Sequence, residues 1–360
     1  MPAMDSRDRT FLALQHQAAD RIPIDFWASR SMVRKLEREL GLSYEQFLDL
    51  YDVDLRYISG PEYTGPPLAV DSDIWGVKRV TIDVDVPGGT ESYQEVAESP
   101  LAAMASVEQI EGYAHWPSPD TFDYSVVEAQ CDAIRAGGRV VVFMGDRLNR
   151  VAQLKPAMYL RGLENTFIDL AVRPESVRAI LNKIVAFYLA YLERILEAAK
   201  GKIDIVLTGD DFGSQKGLLI SRNAWRTFIR SGFAEYIDLI KSYGAVAMHH
   251  TCGSVVELIP DMIDCGLDVL QSIQPDAANM SLGDLKARFG RELCYHGGIS
   301  IQRTMPFGTP DEIRRQVLEI ADIVKPDGGY IFGTAHNIQA DTSVENVQAL
   351  MAAYHEYGGY

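Results

Sequence analysis

Four consecutive residues, His249-His250-Thr251-Cys252, hold two imidazoles and a thiol in a chain that has 7 His and 4 Cys in 360 residues. Imidazole nitrogen and thiolate sulfur are the donors that zinc prefers. An apolar run, Gly244 to Met248, leads into them. On an extended segment side-chain direction repeats every second residue, so His250 and Cys252 can converge on one ion while His249 faces the other way and packs. A lone His-x-Cys equally describes a hydrogen-bonded core histidine and an inert buried thiol. A third donor at another strand end favours the metal, and His336 in "TAHNIQ" is the candidate. Three protein ligands with one open position is the pattern of a catalytic zinc.

Acidic and amide side chains follow other apolar runs. Asp210 and Asp211 are candidate catalytic carboxylates: a general base, a further ligand, or the partner that fixes a histidine tautomer. Being adjacent, they point to opposite sides, and the plain alternative is a helix cap or a turn. Arg30, Asp146, Gln215, Gln274, His296 and Asn337 close or follow other runs and are candidate substrate-binding residues. No G-x-G-x-x-G, P-loop or G-x-S-x-G is present. The glycines of "GDDFG" and "HGGIS" read as tight turns at strand ends, and those of "HGGIS" also as a place where a ligand nears the backbone.

Short apolar runs that alternate with helical patterns must position these groups. Strands are expected over Arg21–Trp27, Leu55–Ser59, Arg139–Met144, Ile203–Thr208, Ala245–His249, Leu267–Ile273, Glu292–His296 and Tyr330–Gly333. Helices are expected over Ser31–Leu40, Pro174–Lys200, Arg222–Tyr243, Ser254–Cys265, Pro310–Val324 and Val344–Tyr357. Ser254 with Glu257 has the form of a capping box, and Thr309-Pro310 with Glu312 that of a helix start. About eight strand–helix units point to an α/β fold, a closed (β/α)8 TIM barrel whose site lies at the C-terminal strand ends. Alternation around Pro87-Gly88-Gly89 indicates a hairpin excursion near residues 72–96. No linker divides the chain, so residues 1–360 are expected to form a single barrel domain.

The net charge of −16 and the lack of a Lys/Arg run argue against nucleic acid, although Arg147 and Arg150 could make a local basic pocket. Cys131, Cys252, Cys265 and Cys294 are scattered, which suits a reducing compartment. "MPAMDSRDRT" has no apolar leader. "IVAFYLAYLERILEAA" is broken by Glu193 and Arg194 and is too short to span a bilayer. A cytoplasmic protein with no membrane contact is expected.

From "RDRTFLALQHQAADRIPIDFW" to "GTAHNIQADTSVENVQAL", nearly the whole chain resembles the uroporphyrinogen decarboxylase superfamily. That resemblance implies a (β/α)8 barrel. It also implies one of two chemistries. The superfamily's zinc-dependent corrinoid methyltransferases carry His-x-Cys and a late Cys as ligands. His250 and Cys252 match the pair, and His336 stands where that branch has Cys. In the decarboxylase branch a His at this place contacts substrate. That branch also has "R-Q-A-G-R" near its start, where "DFWASRSM" offers only Arg30. The resemblance therefore implies zinc held by His250, Cys252 and His336. Methyl would pass from a methylcobamide, free or on a corrinoid protein, to a thiol or tetrahydrofolate. A decarboxylase of another carboxylated compound and a non-catalytic corrinoid-binding barrel are the alternatives.

Overall fold

The computed structural model describes residues 4–86, 89–145 and 150–360. Pro87 and Gly88 of the expected hairpin turn, and Asp146 and Arg147, lie outside the described residues. In chain order the strands are β1 Leu55–Ile58, β2 Glu62–Tyr63, β3 Lys78–Val86, β4 Gly89–Glu98, β5 Phe122–Asp123, β6 Val140–Phe143, β7 Ile205–Gly209, β8 Val246–His250, β9 Val269–Ile273, β10 Cys294–Gly297 and β11 Tyr330–Ile331. Seven of them form one sheet in the order β1-β6-β7-β8-β9-β10-β11. Every pairing in it is parallel. The sheet curls into a TIM-barrel-like α/β fold.

These strands read as continuous apolar runs because both of their faces are buried. One set of side chains, including Leu55, Val140, Val142, Ile205, Leu207, Met248, Val269, Cys294 and Ile331, fills the barrel interior. The alternate set, among them Val141, Phe143, Val206, Ala247, Leu270, Tyr295 and Tyr330, packs in the core shared with the helices. Beyond the apolar filling the inward positions turn polar: Tyr57, His250, Gln271 and His296. His250 is paired with Gln271, and Gln271 with His296, so three adjacent strands present them at one level.

The eighth place in the barrel is not taken by a regular strand. The run Arg21–Trp27, expected to be one, makes isolated bridges, Arg21 antiparallel to Gly359 and Ile24 parallel to Phe332, with Ala28 parallel to Ile338 further on. Pro23 has no N–H to give to a ladder. On the β1 side the joint is made by Asp54. Its backbone N–H donates to the Ile24 carbonyl at 2.9 Å, and its side chain accepts the Ile24 N–H at 2.8 Å. The same buried carboxylate receives Arg9 at 2.6 Å and Arg21 at 2.7 Å. Asp54 thus links the N-terminal segment, the irregular eighth stave and β1.

Two helices depart from expectation. Arg222–Tyr243 divides at Ile229 into Arg222–Phe228 and Arg230–Ser242, where the Gln153 side chain donates to the Ile229 carbonyl at 3.2 Å. Ser254 does not cap a helix. Its N–H is taken by the Ser214 carbonyl at 2.8 Å, and the helix begins only at Ile259, with Pro260 in its first turn. The capping box at Thr309 and Glu312 forms as its sequence pattern suggests. The hairpin β3–β4 is antiparallel and is fastened to the barrel mouth. Glu91 accepts the Ser29 hydroxyl and the Ala340 N–H, both at 2.7 Å. The Tyr93 hydroxyl donates to Gln339 at 2.9 Å. Among the described residues no helix is long and apolar enough to cross a membrane.

Replacing Asp54 by Ala removes the anion shared by the buried Arg9 and the partly buried Arg21, which keep only the outer carboxylates Asp20 and Asp52. Chemical denaturation of Asp54→Ala should show a loss of about 3–5 kcal/mol, the range for breaking a buried ion pair from one side. A loss under about 1 kcal/mol would mean that the eighth stave is held by other contacts.

Candidate metal centre

His250 ends β8, and Cys252 lies two residues beyond it with its side chain on the same side. Cys252 Sγ is 3.4 Å from His250 Nε2. Zinc bonded to sulfur at about 2.3 Å and to nitrogen at about 2.0 Å in a tetrahedron would hold the two donors about 3.5 Å apart. His336 arrives from the loop after β11. One donor atom from each of His250, Cys252 and His336 lies within 4.8 Å of the others. His249 faces the helices, as the two-residue period requires. It stacks on Phe212 at 5.5 Å between ring centres, and its Nδ1 meets the Thr208 hydroxyl at 2.8 Å.

Both clustered imidazoles are fixed by a second contact. His250 Nδ1 bonds to the amide oxygen of Gln271, and His336 Nδ1 to that of Asn337. An amide oxygen only accepts, so each Nδ1 carries the proton and each Nε2 keeps a lone pair. Burial pushes both imidazoles below the ordinary histidine range, His250 far below it. They are therefore neutral near pH 7 and able to bind a cation. Burial and the neighbouring Asp211 push the Cys252 thiol up to about 12. The sulfur thus keeps its proton until a cation replaces it. Trp27 packs on the cluster, 4.9 Å from the His336 ring and 5.9 Å, edge-on, from that of His250. The Arg150 guanidinium lies 5.6 Å over the same indole.

The paired carboxylates separate. Asp210 is turned away to the start of helix Leu154–Arg161. It accepts the backbone N–H groups of Gln153, Leu154 and Lys155 at 2.8, 2.5 and 2.7 Å. Burial raises it to about 6 against these bonds, so it is an anion at neutral pH that caps a helix N-terminus. Asp211 faces the cluster. It accepts the Cys252 N–H at 3.2 Å and approaches His250 Nε2 to 3.7 Å. Burial would raise its pKa, but the paired Lys155 ammonium outweighs that and holds it well below the usual carboxylate range. Since His250 is neutral, the 3.7 Å approach is not an ion pair.

The other expected residues scatter. Gln274 supports the ligand loop by accepting the Gly253 N–H at 2.7 Å. Asn337 orients His336. His296 bonds to Asp25 at 2.9 Å, which also accepts the Tyr57 hydroxyl at 2.6 Å. Among the described residues Asp25 Oδ1 and His296 Nδ1, both buried there, have no hydrogen-bond partner. Gln215 has an exposed side chain, and its carbonyl receives Ala278 N–H at 2.9 Å. Arg30 opens helix Arg30–Leu40 with its side chain exposed. Asp146 lies outside the described residues. Sequence reasoning missed Gln271, Lys155 and Trp27. Gln271 could have been found by asking which side chain sits beside His250 on the next parallel strand.

Gly253 shows why glycine follows Cys252. Its φ is +79°, and a Cβ there would lie 2.5 Å from the Gly213 backbone. The loops after β7 and β8 therefore touch backbone to backbone. This close approach, rather than a ligand, accounts for these glycines.

A family model described as uroporphyrinogen decarboxylase (URO-D) matches residues 151–357. The methylcobamide:CoM methyltransferase of Methanosarcina barkeri is 28% identical over 169 residues, 47% of this chain and 45% of that protein. The chain thus spans about half the length of this curated relative. The uroporphyrinogen decarboxylase of Chromohalobacter salexigens is 24% identical over 364 residues, 97% of each. Among solved structures a methyltransferase from Methanosarcina mazei superposes with a TM-score of 0.68 over 98% of this chain and 99% of that one. At 19% identity that likeness concerns the fold.

Gly253→Ala should cost at least about 1–3 kcal/mol, because alanine adds strain at positive φ and a clash with a rigid backbone. Thermal unfolding and metal content should fall together. Unchanged values in both would contradict the contact between the two loops.

Proposed function

The chain belongs to the uroporphyrinogen decarboxylase family, and we propose that it is a zinc-dependent methyltransferase that moves methyl from a methylated corrinoid to a thiol or tetrahydrofolate. The observation that carries this reading is the convergence of three soft donors whose two imidazoles are tautomerically fixed for coordination. A thiol placed among them adds a donor that zinc prefers. The resemblance to methylcobamide:CoM methyltransferase supports the same choice and favours a thiol acceptor. The corrinoid would come free or on a partner protein.

His250, Cys252 and His336 would hold the ion. When bound, zinc supplies the Lewis acidity that lets a thiol acceptor react as its thiolate near neutral pH. Gln271 and Asn337 keep the two imidazoles oriented. Lys155 keeps Asp211 ionised, so Asp211 acts as a fixed negative charge beside the cluster and is a poor base. Trp27 covers one side of the imidazoles and excludes water from them. Asp210 positions the helix that carries Lys155 and has no part in the chemistry.

The decarboxylase reading is supported by the family model matched over residues 151–357 and by a match to uroporphyrinogen decarboxylase over 97% of the chain. Against it stands the small number of cations, among the described residues near the cluster, for a substrate with many carboxylates. Lys155 is committed to Asp211, Arg30 sits exposed at a helix start, and the Arg150 guanidinium packs over Trp27.

Protein purified without added metal should contain about one zinc per chain. Cys252→Ala should lose it and keep its fold by circular dichroism; full retention would refute the site. His336→Ala should weaken zinc binding by more than about 100-fold, beyond the loss typical of an outer partner. His336→Cys should retain it. Equal zinc content in all three His336 forms would remove that residue from the ligand set. Demethylation of methylcobalamin by a thiol or tetrahydrofolate, followed by the corrin absorbance, should fall with a chelator and return with zinc. Carbon dioxide release from a carboxylated substrate, with no methyl transfer, would establish the decarboxylase instead.

A further inference from the structure

Ser272 has φ +81° and is buried. Among the described residues the other non-glycine positions with positive φ are His16, Asp52, Asp71, Lys200 and Asn279, and all five lie in turns. Ser272 lies inside a strand. Left-handed backbone costs a residue with a Cβ of order 1 kcal/mol or more, and glycine would adopt it without that cost.

The pairing of β9 with β10 shows what the distortion achieves. His296 is opposite Gln271, and Gly297 is opposite Ile273, so Ser272 is an extra residue, a bulge. Before it the strand alternates, with Val269 inward and Leu270 outward. After it Ile273 lies in the outer core, where an unbroken alternation would have turned it inward. A bulge beside a site re-aims side chains. Here two consecutive residues serve one centre: Gln271 bonds to His250, and the Ser272 hydroxyl donates to the carbonyl of Ala335, next to His336.

We propose that Ser272 is a positioning residue of the metal centre, whose hydroxyl holds the loop that carries His336. The backbone strain is retained because the stabler residue at this φ, glycine, has no hydroxyl. This inference rests on the metal reading above. Stability and metal affinity should therefore respond in opposite directions to Ser272→Gly, whereas a residue that only supports the fold would lower both.

The test uses the full chain, metal-free and zinc-loaded, as wild type, Ser272→Gly and Ser272→Ala. Zinc affinity is measured by competition with a chromophoric chelator, and the metal-free melting temperature by circular dichroism. In the cobalt(II)-substituted protein the sulfur-to-metal charge-transfer band reports how the ligand set is arranged around the metal. Ser272→Gly should melt no lower than wild type while binding zinc about 10–100-fold more weakly, as expected for an outer partner of a ligand, and its charge-transfer band should shift. Ser272→Ala, which keeps the strained Cβ, should lose affinity equally. Wild-type affinity and an unshifted band in Ser272→Gly would overturn the inference while leaving the metal site standing. A melting temperature that falls in step with affinity would overturn it in favour of a structural role. A wild type that takes up no zinc would overturn the metal reading, and this one with it.

Discussion

A single buried carboxylate closes this barrel. Asp54 accepts one backbone N–H and two guanidinium groups, and so takes the place of ladder bonds that the segment around Pro23 cannot make. Everything at the mouth depends on that closure. Trp27 lies three residues past Ile24, and His336 follows the strand that Ile24 bridges. His250 and Cys252 come from β8, on another part of the wall. The His336 ring meets those of Trp27 and His250 only because the irregular stave is held between β1 and β11. The buried anion carries a desolvation cost, and two arginines with a backbone donor offset it.

Much of the fold was legible because its physics is local. Strands buried on both faces give apolar runs, and seven such runs are strands. The eighth was read as a strand too, since side-chain pattern does not register a missing N–H. The helix expected at Ser254 failed for a different reason. Its Ser-x-x-Glu pattern is present, but the Ser214 carbonyl from the neighbouring loop takes the N–H that the Glu257 arm of a capping box would need. Tertiary contact outweighed a local signal.

The cluster was legible from residue type and spacing, because few side chains bind soft metals and His-x-Cys fixes their direction. Its surroundings were not. Gln271 and Lys155 are ordinary polar residues whose importance comes from register and from the approach of a distant helix. Asp210 and Asp211 were indistinguishable as letters. One accepts three backbone donors and the other pairs with Lys155, and each depends on where helix Leu154–Arg161 begins. Ser272 depends on a bulge, which leaves no mark in hydrophobic periodicity.

The hairpin β3–β4 bridges Ser29 on one loop and Gln339 and Ala340 on another. Its outward apolar row, Val80, Ile82 and Val84, is about half exposed. The stretch contributes none of the three candidate ligands. Donor atoms and the shape of the entrance are thus written on different parts of the gene. Selection can exchange the hairpin's surface, and with it the molecules that are admitted, while the three ligand codons stay untouched. Its two anchor points cannot drift so freely, since they hold the loops on which those ligands depend.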